Sequence, residues 1–280
     1  MRTLNKRQDR ATALFRVQSI IGITRLVKGV LMSAQNNLYP ALYHSHHKNV
    51  TEDLPFWRTL ARWQGDPVLE LGCGTGRVLL PLAQDGRIVY GIDNSPAMLS
   101  FLQQRIPDGL HSKIHLREAD ITNFQFKTRF RLVFLPCNTY SAFDTPGRAA
   151  ILEHSFQHLQ PGGVFAISTP NPNLLQALQT NEDAEIETIF THPETGNPVQ
   201  VSNNWVREDE VIRMNWHYDH IYPDGKVERL TASTRHYLST METYITEFIA
   251  AGFTIQATYR NFETGKYKPD ASHLIIVAKK

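Results

Sequence analysis

Three glycines in alternate positions, Gly72, Gly74 and Gly76, separate two apolar runs in VLELGCGTGRVLLPLA, Val68 to Ala83. Bare backbone at such a point permits unusual dihedrals and lets a ligand approach closely. If the first run is a strand and the second a helix, the glycines lie beside the unpaired N–H groups of the helix start. The ligand then belongs at the carboxyl end of the strand. Spacing narrows the choice. A dinucleotide fingerprint reads Gly-x-Gly-x-x-Gly, but here the third glycine is Gly76 and position 77 is Arg77. The pattern is Glu-x-Gly-x-Gly-x-Gly, led by Glu70, which lowers the dinucleotide reading. The next apolar run, in VYGIDNSPAML, ends in Asp93. An acid there can accept both hydroxyls of a ribose. Each residue also has a plainer reading: the glycines as a tight turn, Asp93 as a cap for the following helix, Asp120 as a loop Asx turn.

The elements that must hold these residues alternate. Strand PVLEL leads through the glycines to a helix at 76–84. Strand RIVYGID leads to a helix at 95–105, with Ser95 as cap and Pro96 at its first position. KIHLREAD and FRLVFLP read as further strands, followed by a helix at 147–159 and the strand GGVFAIST. Short apolar strands separated by helical patterns imply a parallel sheet covered on both faces. Upstream, TEDLPFWRTLARW reads as a helix capped by Thr51 or Asp53, with Phe56, Leu60 and Trp63 facing inward. After Pro170 the period changes. EVIRMNWHYDHIY alternates, with Ile212, Met214, Trp216 and Tyr218 on one side and Arg213, Asn215, His217 and Asp219 on the other. The YPDG turn and KVERLTASTRHYL complete an antiparallel hairpin. A helix begins near Ser239, where Ser239 and Glu242 form a candidate capping box. Met241, Tyr244, Ile245 and Phe248 supply its buried stripe, and Gly252 ends it.

The stretch LELGCGTGR resembles motif I of the class I S-adenosylmethionine (SAM)-dependent methyltransferases. Asp93 resembles that family's ribose-binding acid, READI (Arg117 to Ile121) its adenine-binding segment, and HLQPGGVFAIS its turn into the fifth strand. The resemblance is firm over residues 50–170 and looser over 239–280. It implies an α/β, doubly wound, seven-stranded and mostly parallel sheet of Rossmann-like type, with an inserted antiparallel β lid. It divides the chain into a basic arm and lid segment (1–50), a SAM-binding core (51–170), an inserted antiparallel subdomain (171–238) and a C-terminal part completing the sheet (239–280). It also implies a cofactor site of Glu70, Gly72, Cys73, Gly74, Gly76, Asp93, Asn94, Met98, Asp120, Ile121, Pro136 and Asn138. Asn138, Thr139 and Tyr140 stand where the family places acceptor contacts. Tyr39, Tyr43 and His44 belong to a lid segment. Asn215, Arg235 and His236 lie on the hairpin, with His217 as a general-base candidate beside Tyr140. The layout resembles the small-molecule branch related to sugar N-methyltransferases and glycine/sarcosine-type enzymes. The reaction implied is methyl transfer from SAM to N or O of a small acceptor.

Composition is consistent with that. The chain has 280 residues, 41% hydrophobic and 20% charged, with two cysteines, Cys73 and Cys137. No disulfide framework is implied, and a cytoplasmic, reducing compartment fits. Of the 29 Lys/Arg and 27 Asp/Glu, residues 1–36 hold seven and one, so the body is mildly acidic. A nucleic-acid enzyme more often spreads positive charge over its body, so no nucleic-acid partner is expected. The arm stays open between a packed helix, an anionic-membrane contact and an organelle-targeting peptide. His44, His46 and His47 have no acid or cysteine at a metal-ligand spacing, so no metal is expected. Rival readings are a protein or RNA methyltransferase, a non-catalytic SAM-binding subunit and, least favoured, a dinucleotide-dependent oxidoreductase. The oligomeric state is left as monomer or homodimer.

Overall fold

A computed structural model describes residues 35–280; the expectations for the basic arm before residue 35 lie outside the described residues. The described part begins with helix α1 (Gln35–His47) and helix α2 (Leu54–Gln64). Strand β1 (Val68–Leu71), helix α3 (Leu79–Gln84), strand β2 (Val89–Asp93), helix α4 (Pro96–Gln103) and strand β3 (Ile114–Glu118) follow. Then come β4 (Phe130–Leu135), α5 (Thr145–His158), β5 (Leu159–Pro170) and α6 (Pro172–Ala177). Four long strands succeed them: β6 (Asn181–Thr191), β7 (Pro198–Glu208), β8 (Val211–Ile221) and β9 (Val227–Tyr237). Helix α7 (Met241–Ala250), β10 (Thr254–Tyr259) and β11 (His273–Lys279) end the chain. Among the described residues, no helix is long and apolar enough to cross a membrane.

Seven strands form one sheet in the order β10-β11-β5-β4-β1-β2-β3. β1 through β5 pair in parallel, and β11 runs antiparallel to both its neighbours. Side chains alternate between the faces, which splits the strands' apolar runs in two. Leu69, Val133, Phe165 and Ile276 pack with α5 and α7. Val68, Leu132, Phe134, Ala166 and Ile275 pack with α2, α3 and α4. Both faces are therefore covered, as near-continuous apolar strands require. The sheet order reverses direction beside β1, between β4 and β2, and that crevice is where open α/β sheets bind ligands.

Strands β6 to β9 form a second, antiparallel sheet. The expected hairpin is its β8–β9 half. Its apolar face, with Val201, Met214, Trp216 and Tyr218 all at most 1% exposed, packs on Tyr39 and Leu42 of α1 and Met98 of α4. Segment 37–50 is mostly α1, with Pro40 inside it.

Three local expectations shift. α3 starts at Leu79 because Gly76 sits at φ +81, where no right-handed helix can begin. α7 is capped by Thr240, whose Oγ1 accepts the Thr243 N–H at 3.0 Å, one residue beyond Ser239. Trp63 is 73% exposed, while Phe56, Trp57 and Leu60 are buried. Helical period puts 56, 60 and 63 on one stripe, but it does not reveal how far the sheet extends beneath it.

Candidate functional site

The glycine turn between β1 and α3 holds three left-handed residues, Gly72 (φ +68), Gly74 (φ +51) and Gly76 (φ +81). They serve different ends. A Cβ on Gly74 would meet nothing within 4 Å, because that position faces an open cleft. A Cβ on Gly76 would lie 2.3 Å from Leu102 Cδ1, so Gly76 allows the close packing of the turn on α4. Gly72 and Gly74 line the cleft and Gly76 does not.

The cleft lies at the carboxyl ends of β1, β2 and β3 and, with the solvent it opens to, spans about 920 Å³. Asp93 stands in it, its Oδ2 accepting the Gly74 N–H and its Oδ1 the Ser95 N–H, both at 2.9 Å. Each oxygen keeps lone-pair capacity for one more donor. Burial pushes the Asp93 carboxyl up from its ordinary range, and the N–H groups of Ser95, Gly74 and Asn94 oppose that rise. The cap of α4 is Ser95, whose Oγ accepts the Met98 N–H, so Asp93 is not needed as the cap. Asn94 and Met98 also line the cleft, as do Asp120 and Ile121. Asp120 does form an Asx turn, its Oδ1 accepting from Thr122 N at 2.8 Å and Thr122 Oγ1 at 2.7 Å, while still facing the cleft.

Glu70 is 3% exposed on the cleft wall, and among the described residues its Oε2 has no partner. Burial drives its carboxyl well above the usual range, which favours a protonated acid where no ligand compensates. Tyr39, 4% exposed and lining the same cleft, leaves its hydroxyl unpartnered among the described residues. Buried polar atoms ordinarily find partners, so two such atoms on one cavity wall point to a polar ligand. Cys73 contributes backbone rather than reactivity: its N–H pairs with Ile92 O at 2.9 Å, and burial pushes its thiol up. Tyr43 completes the wall from α1. His44 stays outside the lining; its Nδ1 lies 3.4 Å from Thr75 Oγ1.

Several lining residues escaped the sequence reading. Thr75, Cys137, Phe143 and above all Arg77 face the cleft, beside Thr139, which the sequence places among the acceptor contacts. Arg77 makes a two-pronged ion pair with Asp53 (2.6 and 2.7 Å), donates to Val50 O at 2.7 Å and reaches Cys137 Sγ at 2.8 Å. Asp53 also accepts from Trp57 Nε1 at 3.1 Å. The clamp ties the glycine turn to the α1–α2 junction, and it makes Asp53 an ion-pair partner where a side-chain cap was expected. The signal was present, since an arginine directly after a glycine turn has no solvent ahead of a buried helix. Cys137 and Asn138 after β4 sit at φ +61 and +64. Two successive non-glycine residues in that region are strained and mark a functional turn. Burial raises the Cys137 thiol to about 11, so it is neutral.

A second cavity, about 470 Å³ with the solvent it opens to, adjoins the cleft over β4, β5 and β11. It shares Tyr43, Arg77 and Cys137 with the cleft, and Asn138 faces it instead of the first. Pro136 lines neither; its carbonyl accepts from Thr139 Oγ1 at 3.0 Å.

The catalytic candidates do not converge on the cleft. His217 lies on the polar outer face of the second sheet, its Nδ1 2.9 Å from Thr231 Oγ1. Asn215 shares that face, bonded to Asn204 and Ser233, and Arg235 is exposed there opposite Arg213. The reason is parity: the sheet turns its apolar face to α1 and the cleft, so the other face meets solvent. His236 is buried beneath the site, its Nδ1 2.9 Å from Ser141 Oγ, which in turn donates to Asn138 O. Tyr140 is also buried; its hydroxyl donates to Glu247 at 2.9 Å, and Glu247 pairs with Arg148 at 2.7 Å. These are framework contacts. His217→Ala should therefore leave turnover within about twofold of wild type, since surface changes mostly stay within ±0.5 kcal/mol. Tyr140→Phe should lower unfolding stability by about 1.5–3 kcal/mol, the range for a hydrogen bond to a charged group. Steady-state turnover and urea denaturation check the two; a large rate loss in His217→Ala would restore it to the chemistry.

Buried histidines set a pH response. Burial lowers His236 and His273 to about 4, and they are 0% and 7% exposed. Between pH 6.5 and about 4 the unfolded chain binds these protons and the folded chain does not. Stability is therefore full above pH 6.5 and falls as pH drops toward 4, by on the order of 3 kcal/mol per histidine. Denaturation midpoints across that window should fall monotonically; His236→Gln should flatten the slope. A flat wild-type profile would contradict the assignment.

Among the described residues, no group of three or more His, Cys, Asp or Glu could hold a metal ion. Residues 68–163 match a family model described as a methyltransferase domain. The chain is 30% identical over 192 residues to a dTDP-3-amino-3,6-dideoxy-alpha-D-glucopyranose N,N-dimethyltransferase of Streptomyces fradiae, covering 68% of this chain and 70% of that one. A trans-aconitate 2-methyltransferase of Escherichia coli O157:H7 is 32% identical over 108 residues, 38% of this chain and 40% of that one. Among solved structures, an S-adenosylmethionine-dependent methyltransferase from Clostridium acetobutylicum superposes with a TM-score of 0.72 at 19% identity, covering 86% of this chain and 98% of that one. A sugar N-methyltransferase from a Streptoalloteichus species gives 0.69 at 20% identity, covering 93% and 98%. At such identities the structures speak to the fold.

Proposed function

The chain belongs to the SAM-dependent methyltransferases, and on that premise we propose that it methylates the nitrogen of a small-molecule amine. The observation that carries the acceptor class is the covered site. Tyr39 and Tyr43 of α1 line the cleft, and the second sheet packs its apolar face on α1, so an element of the chain stands over the site where a macromolecular acceptor would need an open groove. The relative from S. fradiae, named for an amino sugar, supports nitrogen over oxygen.

The residues present fit the cofactor. Gly74 leaves open space where a side chain would intrude, Asp93 keeps lone-pair capacity for two hydroxyls, and Glu70 Oε2 and the Tyr39 hydroxyl lack partners. When bound, SAM would supply a methyl group already activated by its positively charged sulfur for transfer to the acceptor nitrogen, with S-adenosylhomocysteine as the leaving product. The protein's work is to align and to exclude water. Asp93 would accept the ribose hydroxyls, Gly72 and Gly74 would let the ligand lie against backbone, and Asp120 and Ile121 would border the base. Tyr39 and Tyr43 keep solvent out from above. A neutral amine needs no strong base, which fits a site from which the candidates named from the sequence, His217 and Tyr140, are turned away. Two free cysteines fit a reducing compartment, and we place the reaction in the cytoplasm.

The test is methyl transfer from methyl-tritiated SAM to dTDP-3-amino-3,6-dideoxyglucose, a simple aliphatic amine and trans-aconitate, with calorimetric titration of S-adenosylhomocysteine alongside. Label on an amine is the expected result. Label only on trans-aconitate would replace nitrogen by a carboxylate oxygen. Tight binding with no transfer to any would favour a non-catalytic subunit.

A further inference from the structure

Resting on the reading of the chain as an amine methyltransferase, we propose that the second cavity seats the acceptor. There, Nε2 of His47 accepts a hydrogen bond from its N–H, turning the nitrogen lone pair toward the wall shared with the cleft.

The position follows from the strand order. The first cleft lies over β1, β2 and β3, and the second cavity lies over the neighbouring ends of β4 (Asn138), β5 (Ser168) and β11 (His273). The two are side by side along one sheet edge. Arg77, Cys137 and Tyr43 belong to both, so the two cavities abut at these three side chains. The strained turn at Cys137 and Asn138 is what places Asn138 in this cavity.

His47 closes the cavity from the last turn of α1. Its Nδ1 lies 2.9 Å from the Tyr43 carbonyl oxygen. A carbonyl only accepts, so Nδ1 carries the hydrogen and Nε2 carries the lone pair. Tyr43 also stacks on the ring, with centroids 4.3 Å apart, which fixes its plane. Among the described residues, no protein group pairs with Nε2. Burial, with His46, Arg77 and His44 nearby and only the Tyr43 carbonyl opposing, holds the ring's proton affinity well below the usual histidine range. The ring is thus neutral at physiological pH and offers one oriented acceptor. Glu52 and Asp53 also face the cavity, but Asp53 is spent on Arg77. A neutral amine has two or fewer N–H bonds and one lone pair, so holding one N–H restricts where that lone pair points. His217 was a general-base candidate in the sequence; His47 is better placed and does a different task, since it takes a hydrogen bond and need not take the proton.

The test has two arms. Long-range proton–nitrogen NMR on histidine-labelled protein saturated with S-adenosylhomocysteine should show His47 protonated at Nδ1. Its Nε2 signal should move on adding dTDP-3-amino-3,6-dideoxyglucose. The tautomer is read whether or not that sugar is a substrate, and an Nε2–H ring would overturn the proposal. In the second arm, His47→Asn keeps an N–H for the Tyr43 carbonyl but loses the acceptor. It should hold S-adenosylhomocysteine within about twofold of wild type while KM for the amine rises about tenfold, roughly 1.4 kcal/mol. His47→Gln, whose amide oxygen reaches the Nε2 position, should recover part of that loss. An unchanged KM, or a matching loss of S-adenosylhomocysteine affinity, would overturn it. If wild type itself binds no S-adenosylhomocysteine, the cofactor reading fails instead.

Discussion

Asp93→Ala should weaken S-adenosylhomocysteine binding by about 1–3 kcal/mol, roughly five- to 150-fold, the cost of leaving buried partners unpaired. The carboxylate stands between two sets of donors. It accepts from Gly74 N and Ser95 N, each at 2.9 Å, and keeps lone-pair capacity on both oxygens for ligand hydroxyls. Alanine removes the ligand's acceptors and also releases the N–H of Gly74, so the glycine turn loses its tether to β2. The loss should therefore sit toward the upper end of the range. Asp93→Asn separates the two effects. Its amide oxygen still satisfies one backbone N–H, while its NH2 confronts the other and cannot accept a hydroxyl. It should bind less well than wild type and better than the alanine variant. Calorimetric titration of folded protein checks both, and unchanged affinity in Asp93→Ala would remove Asp93 from the cofactor site.

Asp53→Ala should be the most destabilising single change near the site, at about 3–5 kcal/mol, because it leaves a buried guanidinium without its counter-charge. The pair is 13% and 5% exposed at the side chains of Arg77 and Asp53. Asp53 gives Arg77 two short bonds and accepts the Trp57 indole N–H, which otherwise lies in the core under α2. Removing both charges should cost less than removing one. Asp53→Asn combined with Arg77→Met leaves no lone ion, and its unfolding free energy should exceed that of Asp53→Ala alone. Urea denaturation of the three proteins decides it. A double variant less stable than Asp53→Ala would mean the pair is favourable in itself. Both residues face the second cavity, so the same proteins should also show a raised KM for the acceptor.

What the sequence determined was local. The glycines, the strands on either side and the acid ending the next strand lie within a short stretch of chain, where turn geometry and helix capping decide the outcome. Ser95 caps α4 as its type and its Pro96 neighbour imply. The apolar strand runs dictated a sheet covered on both sides, and the alternation at 212–218 dictated one buried face. That alternation also held the argument against His217. A sheet laid over a cleft turns its apolar face inward, since burying that face is what drives the docking, and His217 is on the other face.

What the tertiary structure alone decided was which distant side chains meet. Arg77 finds Asp53 from 24 positions earlier, Tyr140 finds Glu247 across 107, and His47 comes to the same cavity as Asn138, Ser168 and His273. No local propensity encodes these meetings. They arise because helices α1 and α2 can bury their apolar faces only against particular parts of two sheets, and the polar groups carried along must then be paired or left facing a cavity. The extent of a core is decided the same way, which is why Trp63 lies on a buried stripe by period and yet is open to solvent.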